Sequence, residues 1–444
     1  MFKFFNKIIF SLDIQLMFTR VKPLMYPSRS SYKNVIINIF YSLFFFTFKS
    51  FMKDLILFIF LILIDFLKII YFPITLLFYF SKYRFIELNH SQIGTVNQNL
   101  NIMVKKNLLN GYKSIILIPK YSNFSFVKEI FKNLIIIDNN LLNILLLPIK
   151  HSQLVSCKSA SLDPTFLNAN LQLVNIAPMA RVYSDYEKQK KIKDTLYDFN
   201  FDFEKKMKDH MKKNYPNFKF SKTFIFHHRE NYFANTSNLR GSNISSYVPS
   251  IKYLLKKGYG VIRLTHSTSK KLIFEKKNYT EINTDLDFNK RLQYYVISKS
   301  RGFICCDSGP GAIGSLLSVP TYNTNMQGTI ISATTNKSIF ILKKIKKRKK
   351  FISYKKAIDL NYFKGHHICS NYLKKNGFEI VNNSKSEILK GLKEFEKLKT
   401  KKKQTKRQKK FKELIPDYME LKHYKSNIAD FFIKDNMKFF FNLI

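Results

Sequence analysis

The chain has 444 residues, of which 45% are hydrophobic and 16% aromatic, which excludes a disordered protein and a small stapled scaffold. Its 75 Lys and Arg residues against 30 Asp and Glu residues give a formal net charge of +45. Either a polyanion-binding function or a biased nucleotide composition explains this excess, because Ile, Asn and Phe are abundant together with Lys. In both cases the surface is positive and attracts anionic partners.

The first 84 residues are predicted to form a hydrophobic, membrane-associated helical segment. Residues 55–80 are almost wholly apolar and long enough to cross a bilayer as a helix. Asp65, Lys68 and Pro73 interrupt the run, and a helix would place Asp65 and Lys68 on one face. A spanning helix, two interfacial helices broken near Pro73, a hairpin with residues 36–48 and a buried core helix all fit. Residues 1–17 precede no small-residue cleavage site, which argues against a removed signal peptide.

Residues 85–217 alternate short apolar runs with longer polar segments. Three continuous apolar runs are typical of buried parallel strands: 114–119, 134–138 and 143–148. A charged helical segment over 188–213 ends at the turn sequence Asn214-Tyr215-Pro216-Asn217. The pattern predicts an N-terminal Rossmann-like domain.

The second half repeats this plan. The predicted elements are a strand over 223–227, a helix over 248–257, a strand over 260–265, a helix over 288–299 and a strand over 302–306. Gly258 ends the first of these helices and permits the turn into the next strand. This alternation predicts a second Rossmann-like domain over 218–385, so that the fold class is α/β with two such domains facing a cleft. Residues 386–444 are expected to form basic helices that pack back on the body.

Two basic tracts, 343–350 and 397–412, raise the question of nucleic-acid binding. Apart from Phe411 they lack interleaved aromatic residues, and both lie in helix-compatible stretches. A solvated helix face or contact with lipid headgroups is therefore favoured over a specific nucleic-acid partner.

The four cysteines have no metal-ligand spacing, and we expect reduced thiols at Cys157, Cys305, Cys306 and Cys369. The triplet Asp285-Leu286-Asp287 has the pattern that holds a divalent metal in some sugar-transferring enzymes. It directly precedes a predicted helix, where acids favour the N-terminal dipole and cap. We take the cap as the better interpretation, and we expect no metal cofactor.

Two polar clusters follow strands of the second predicted domain. His228, Arg229 and Glu230 come directly after the strand 223–227, and Asp307-Ser308-Gly309-Pro310-Gly311 follows the strand 302–306. Ligands bind at the carboxyl ends of strands in an open parallel sheet. An arginine there can grip a diphosphate through two parallel hydrogen bonds, and a glycine-rich turn leaves backbone N–H groups for an anion.

These segments resemble a known family. His227-His228-Arg229-Glu230-Asn231, the stretch 239–264 and the stretch 307–325 are similar to a family of bacterial glycosyltransferases of the two-Rossmann-domain (GT-B) type, distantly related to fucosyltransferases. The resemblance extends from Tyr83 to Asn436. It departs at Glu230, Asn243, Gln92 and Thr95, where the family has Asp, an acid, Arg and His.

The resemblance implies roles for individual residues. Arg229, Glu230 and His228 would be catalytic, Arg229 on the donor diphosphate and Glu230 or His228 as the local candidates for the general base. The donor would be bound by His227, Arg229, Arg240, Asn243, Asp307, Ser308, Gly309 and Gly311. The acceptor side would hold Gln92, Gly94, Thr95 and Asn97.

The implied function is transfer of a sugar from a nucleotide-diphosphate donor to a glycan or lipid-linked acceptor in the synthesis of surface polysaccharide. The implied location is the cytoplasmic face of the bacterial inner membrane, against an anionic lipid surface. The alternative is a catalytically inactive, membrane-associated polybasic binding protein of the same fold. A dinucleotide-dependent reductase is disfavoured, because no GxGxxG sequence opens the first predicted domain.

Overall fold

The chain divides into two compact units. A computed structural model describes residues 63, 66–87, 93–118, 124–150, 152, 154–155, 197–230, 241–306, 308–326, 337–348, 350–359, 377–398, 404–415, 422 and 425–441. Unit 1 takes its described residues from Met1–Asn89, Ile102–Ser125 and Leu134–Val174. Unit 2 takes its described residues from His90–Asn101, Phe126–Asn133 and Asn175–Ile444.

Unit 1 contains a three-stranded parallel sheet in the order β1-β2-β3. Its strands are β1 (Tyr83–Glu87), β2 (Lys113–Leu117) and β3 (Ile135–Ile137). Its helices are α1 (Phe72–Phe80), the second half of α2 (Ile93–Leu109), α4 (Asn140–Leu145) and α5 (Leu147–Lys150). The predictions of strands near 114–119 and 134–138 are confirmed.

The predicted strand over 143–148 is wrong, because this run forms α4 and α5. The side chain of Asn139 accepts a hydrogen bond from the backbone N–H of Leu142, and this N-cap starts a helix where the apolar sequence suggested a strand. A short apolar run fits a buried strand and a helix equally well, and here the cap decided.

Only part of the hydrophobic N-terminal segment lies in the described residues. Residues 66–70 are helical, and α1 begins after Tyr71 with Pro73 in its first turn, a position that suits proline. In the described part of the chain no helix combines the length and the hydropathy that crossing a bilayer requires. Asp65 lies outside the described residues, and so does its predicted pairing with Lys68.

Unit 2 is built on a seven-stranded parallel sheet in the order β13-β9-β8-β7-β4-β5-β6. Its strands are β4 (Thr223–His227), β5 (Gly260–Thr265), β6 (Tyr279–Asn283), β7 (Gly302–Cys306), β8 (Thr321–Met326), β9 (Ile339–Leu342) and β13 (Asn427–Ile428). The predicted strands 223–227, 260–265 and 302–306 are confirmed with the same bounds.

Helices cover both faces of this sheet. The helices of unit 2 are α3 (Val127–Ile130), α6 (Phe201–Asn214), α7 (Val248–Lys256), α8 (Asp287–Lys299), α9 (Gly311–Leu316), α10 (Tyr354–Asp359), α11 (Lys385–Glu396), α12 (Lys406–Glu413), α13 (Asp430–Asp435) and α14 (Met437–Phe441), with the first half of α2. Successive residues of β7 face opposite sides, so that Gly302 lies against Phe395 of α11 while Phe303 lies against Gly314 of α9.

The predicted helices of this half are confirmed to within a residue at α7 and α8. Gly258 follows α7 with a φ of +78°, the left-handed conformation predicted for the residue that ends this helix. The predicted helix over 188–213 is observed as α6 from Phe201, and residues 188–196 lie outside the described residues.

The basic tract 343–350 does not form a helix, and the prediction of a helix face there is wrong. It forms an antiparallel hairpin of β10 (Lys344–Lys347) and β11 (Lys350–Phe351), and β12 (Phe378–Val381) pairs with the other edge of β10. The physical reason is that successive side chains of a strand face opposite sides, so that Ile345 can be buried while Lys344 and Lys346 stay partly exposed. The second tract does contain a helix, α12, whose Phe411 is buried in the main core of unit 2.

Candidate functional site

The candidate site lies at the carboxyl edge of the unit 2 sheet, where β4 and β7 are neighbours. From β4 the chain proceeds to β5 and β6 on one side, and β7 then starts the strands on the other side, β8 and β9. This reversal of strand order is the position at which open α/β sheets bind their ligands. Arg229 follows β4 and Ser308 follows β7, so both predicted clusters meet at this point.

The backbone of Arg229 is held on both sides. Its N–H donates to Sγ of Cys306 over 3.0 Å, and its carbonyl accepts from the N–H of Ser242 over 2.9 Å. The Arg229 side chain is half-buried at the sheet edge. Ser308 is buried, and its hydroxyl donates to the Cys306 carbonyl over 3.3 Å. The arginine and the glycine-rich turn are therefore joined directly through Cys306.

The turn after β7 also touches the start of α2. A Cβ added to Gly94 would lie 2.7 Å from Cα of Gly309, and a Cβ on Gly309 would lie 2.9 Å from Cγ2 of Ile93. Only glycine permits this approach of two backbones. Gly94, predicted on the acceptor side, and Gly309, predicted on the donor side, are thus in contact. Gly311, another predicted donor residue, is buried at the start of α9.

The amide of Asn97 is occupied within unit 2. The side chain is fully buried, its Nδ2 donates to the Ile93 carbonyl over 2.8 Å, and its Oδ1 accepts from the Tyr294 hydroxyl over 2.9 Å. These bonds fix the first turns of α2 against α8. Gln92, Arg240 and Asp307 lie outside the described residues, as does the side chain of Thr95, so their assigned roles stay predictions.

Both histidines of the first cluster are buried and neutral. Burial, reinforced by the nearby His266, Arg263 and Arg229, lowers the pKa of His227 to about 3. Burial together with Arg263 and the neighbouring histidines lowers the pKa of His228 to about 2. A general base works best when its pKa lies near the working pH, which argues against His228 in that role.

Arg263, on β5, is a site residue that the sequence interpretation missed. Its side chain is fully buried, and its guanidinium donates to Oε1 of Glu230 over 3.1 Å and to Oε1 of Glu281 over 2.7 Å. The same group also donates to the Lys270 carbonyl over 2.7 Å. Glu230 is therefore held in a buried ion pair next to Arg229. The sequence did contain a signal for this residue, because Arg263 is the one charged residue inside the otherwise apolar strand Gly260–Thr265.

A second missed feature is the pair of His266 and Asp285. Nδ1 of His266 lies 2.8 Å from Oδ1 of Asp285, and the N–H and hydroxyl of Ser267 each donate to Oδ2 over 2.7 Å. Burial alone would raise the pKa of Asp285, but these hydrogen bonds outweigh it and lower the pKa to about 2. An ionised Asp285 keeps the Nδ1 proton on His266, so that the lone pair is on Nε2.

His266 and Arg229 follow neighbouring strands of the sheet. His227 pairs with Leu264 across β4 and β5, so that Arg229 and His266 each lie two residues beyond this pair. His266 is about one-third exposed, and its ring centroid is 6.1 Å from that of His227. The carboxyl edge thus carries, strand by strand, the turn at Ser308, then Arg229, then His266 with Asp285.

The Asp285-Leu286-Asp287 triplet is engaged by protein groups. Asp287 lies in the first turn of α8, as the dipole interpretation predicts, and Oδ2 accepts from Arg291 over 2.6 Å. Asp285 instead binds His266 and Ser267, and the N-cap residue is Leu286. In the described ranges no group of three His, Cys, Asp or Glu side chains has a geometry that could hold a metal ion.

A buried polar network supports the loop after residue 240. The Tyr247 hydroxyl bonds to the hydroxyls of Ser242 over 3.3 Å and Thr324 over 2.7 Å. Nζ of Lys343 donates to the Gly241 carbonyl over 2.9 Å. Asn243, a predicted donor residue, is exposed and caps the following turn by accepting from the Ser245 N–H. The loop is therefore anchored to the carboxyl ends of β8 and β9.

A cavity of about 390 Å³ lies elsewhere in unit 2, at the C-terminal ends of α8 and α9. Its lysines are paired, Lys132 with Asp198 over 3.8 Å and Lys299 with Glu204. It is remote from the N-terminal end of α8, where Asp287 lies, and it contains none of the predicted site residues.

No protein-family model matches the chain, and no curated protein matches its sequence. Among solved structures, the chain is similar to the glycosyl transferase family 9 protein from Veillonella parvula, with 11% identity and a TM-score of 0.42 over 70% of this chain and 96% of that one. It is also similar to the E. coli heptosyltransferase WaaC with ADP, with 12% identity and a TM-score of 0.35 over 59% of this chain and 93% of that one. Similarity at this level is too low to transfer residue roles.

Proposed function

We propose that this protein is a glycosyltransferase that moves a sugar from a nucleotide-diphosphate donor to a hydroxyl of a glycan or lipid-linked acceptor. The observation that carries the proposal is the position of Arg229. It lies at the point where the strand order reverses, and its backbone is bonded to the same cysteine that precedes the Ser308–Gly309 turn. In the proposal the Arg229 guanidinium binds the diphosphate through two parallel charge-assisted hydrogen bonds.

In the proposed reaction the acceptor oxygen bonds to the anomeric carbon while the bond from that carbon to the phosphate oxygen breaks. The electron pair of the broken bond moves to the leaving nucleoside diphosphate. Arg229 stabilises this developing negative charge, which is the largest catalytic contribution expected of such a site. The protonated state of Arg229 does not change, since a guanidinium keeps its charge at any working pH.

For the acceptor proton, His266 fits better than the two residues proposed from the sequence. Glu230 is committed to the buried Arg263, and the pKa of His228 is about 2. His266 is partly exposed, follows the strand next to that of Arg229, and is oriented by an ionised Asp285. Its Nε2 would accept the proton of the acceptor hydroxyl as the new bond forms.

We further propose that the reaction needs no divalent metal. The carboxylates of the Asp285-Leu286-Asp287 triplet bind His266, Ser267 and Arg291, and Arg229 offers a positive charge for the diphosphate. Turnover is expected to persist in excess chelator. Loss of turnover in chelator, restored by Mg²⁺ or Mn²⁺, would contradict this part of the proposal.

The test is a thermal-shift and turnover screen of the full chain against nucleotide-diphosphate sugars, with the free sugars as blanks. A ligand at 100 times its dissociation constant stabilises the folded state by about 2.7 kcal/mol, which raises the melting temperature by several degrees. We expect Arg229→Ala to weaken binding of whichever nucleotide sugar the protein uses about tenfold to 100-fold, because a charge-assisted hydrogen bond is lost.

Arg348→Ala is the matched control, because Arg348 is exposed in the turn between β10 and β11. It should leave binding and turnover unchanged. Binding that needs Arg229 without any turnover would favour the inactive binding protein. If no nucleotide sugar binds, or if Arg229→Ala and Arg348→Ala behave alike, the proposal is wrong.

A further inference from the structure

Exposed apolar side chains are concentrated in unit 1. In the described part of the chain sixteen large hydrophobic side chains are exposed, and twelve of them belong to this unit. Seven lie on the segment 63–80 and four on α4, while the remaining one is Ile135. Isolated exposed hydrophobic residues are ordinary, but such a concentration marks a surface that binds something.

On the first segment the exposed residues form a stripe along one side of the helix. Ile70, Ile74 and Leu77 are spaced by four and three residues, and their exposed fractions are 59%, 44% and 67%. The opposite side packs into the unit, where the rings of Phe78 and Phe85 are 5.0 Å apart. This helix is therefore apolar on both sides, and its exposed side contacts no apolar core among the described residues of unit 1.

The second segment is α4, the run first interpreted as a buried strand. None of its residues is buried, and Leu141 and Ile144 are 67% and 60% exposed. Both α1 and α4 contact α5, whose Ile149 lies in the core of the unit. The two exposed apolar stretches therefore flank the same short helix, although about sixty residues separate them in the sequence.

Tyrosines and lysines surround the C-terminal end of α1. Lys82 and Lys113 are exposed, and the half-buried rings of Tyr79 and Tyr112 lie against the buried Arg84. Nζ of Lys113 is 5.5 Å from the centroid of the Tyr83 ring. Amphipathic rings and long cationic side chains at the border of an apolar surface are typical of the interface between lipid headgroups and acyl chains.

We propose that α1 and α4 together form a lipid-docking face that inserts into the surface of an anionic bilayer. The face consists of Ile70, Ile74, Leu77 and Phe80 on the first segment and of Leu141, Ile144 and Leu145 on α4. A net charge of +45 opposes self-association of the protein and favours an anionic partner. The surface is thus suited to lipid rather than to a second copy of the chain.

The absence of tryptophan from the sequence permits a direct test. Leu77→Trp and Leu141→Trp each place a single indole on the lipid-docking face, at two positions that are both 67% exposed. Each full-length variant is mixed with phosphatidylglycerol vesicles that carry brominated acyl chains. We expect quenching and a blue shift for both variants, and neither effect for Ile273→Trp, an exposed position of unit 2.

A second measurement removes the apolar groups without changing the charge. Leu141→Gln combined with Ile144→Gln should weaken vesicle binding about tenfold or more, because the bilayer can no longer bury these two aliphatic side chains. Phe201→Gln combined with Ile273→Gln, at exposed positions of unit 2, is the matched control and should have little effect. All four side chains are exposed, so the melting temperature should not change and will show that the variants fold.

The outcomes separate the possible partners. Quenching of Leu77→Trp without Leu141→Trp would exclude α4 and overturn the proposed face. Lipid-independent self-association that the α4 double substitution abolishes would assign the face to a second copy and also overturn it. Unchanged vesicle binding in that double variant would have the same consequence. None of these measurements involves Arg229, so their result does not depend on the proposed reaction.

Discussion

The backbone N–H of Arg229 donates to Sγ of Cys306 over 3.0 Å, and this bond connects the ends of β4 and β7. In the sheet these strands are adjacent, although 77 positions separate Arg229 from Cys306 in the sequence. The thiol is in a reduced cysteine, as the sequence predicted for Cys306 and for its neighbour Cys305. The bond makes the position of the arginine depend on the strand that carries the glycine-rich turn.

Cys306→Ala should weaken nucleotide-sugar binding, because Arg229 loses an acceptor for its backbone N–H. A hydrogen bond contributes about 1 kcal/mol net, which corresponds to about a fivefold change in the dissociation constant. Cys305→Ala is the control, since Sγ of Cys305 bonds to Oδ1 of Asn323 on β8 instead. Calorimetric titration of both variants checks this, and equal losses of affinity would contradict it.

Gly94→Ala should destabilise the protein, because the new methyl group would meet the backbone of Gly309 at 2.7 Å. Overpacking costs about 1–3 kcal/mol, and the better helix propensity of alanine returns at most about 1 kcal/mol. Urea unfolding measures the difference. Lys106→Ala, at an exposed position of the same helix, should be nearly neutral. A gain in stability for Gly94→Ala would show that the two backbones are not in contact.

Arg263→Met should lower the free energy of unfolding by about 3–5 kcal/mol, because Glu230 and Glu281 lose their common buried partner. Lys390→Met removes an exposed partner of Asp435 and should cost much less. If the two variants unfold at the same urea concentration, the ion pairs of Arg263 do not contribute as the burial implies.

Acid should destabilise the protein below the ordinary histidine pKa of 6.5. The folded-state pKa values of His227 and His228 are about 3 and about 2, so between these values and 6.5 the unfolded chain binds more protons. The stability that comes from keeping these two histidines neutral is fully present above pH 6.5 and is lost as the pH falls. Between pH 7 and pH 5 the loss is about 2 kcal/mol per histidine. The folded-state pKa of Asp285 is lowered from 3.8 to about 2, so its contribution to stability is lost only as the pH falls below 3.8.

Urea unfolding at pH 7 and pH 5 measures this dependence. His228→Gln removes one of the two titrating groups and should reduce the pH dependence by about half, whatever it does to stability at pH 7. An unchanged dependence in this variant would show that His228 is protonated in the folded protein, against the pKa that its burial gives.

His266→Gln should lower the rate of sugar transfer about 100-fold or more while leaving the affinity for the nucleoside diphosphate nearly unchanged. Asp285→Asn should lower the rate less, since the ring loses the carboxylate that fixes its tautomer. An unchanged rate of transfer in His266→Gln would assign the base to another residue.

The sequence identified the strands that carry the candidate site. Continuous apolar runs followed by polar clusters placed β4, β5 and β7 at their observed bounds, because a strand buried on both faces has little freedom in its composition. The glycine after α7 was also evident, since its backbone conformation suits no other residue as well. At these positions the composition of the segment was sufficient to predict the structure.

The sequence predicted the wrong element where one composition suits both a helix and a strand. The run 143–148 became helical through the cap at Asn139, and the lysines of 343–350 formed a hairpin because alternate residues could be buried. Four further strands of the large sheet, β6, β8, β9 and β13, carry mixed or short patterns that became strands only through their neighbours.

By itself the sequence determined which residues end β4, β5 and β7, and that an arginine follows one of these strands and a glycine-rich turn another. Only the tertiary structure decided that β4, which Arg229 follows, lies between the strands that lead to Cys306 and His266. It also decided that Arg263 forms an ion pair with Glu230 and that the backbones of Gly94 and Gly309 are in contact. The physical reason is that strand order and backbone approach are set by contacts between residues far apart in the chain, and a sequence pattern records only the neighbours of each residue.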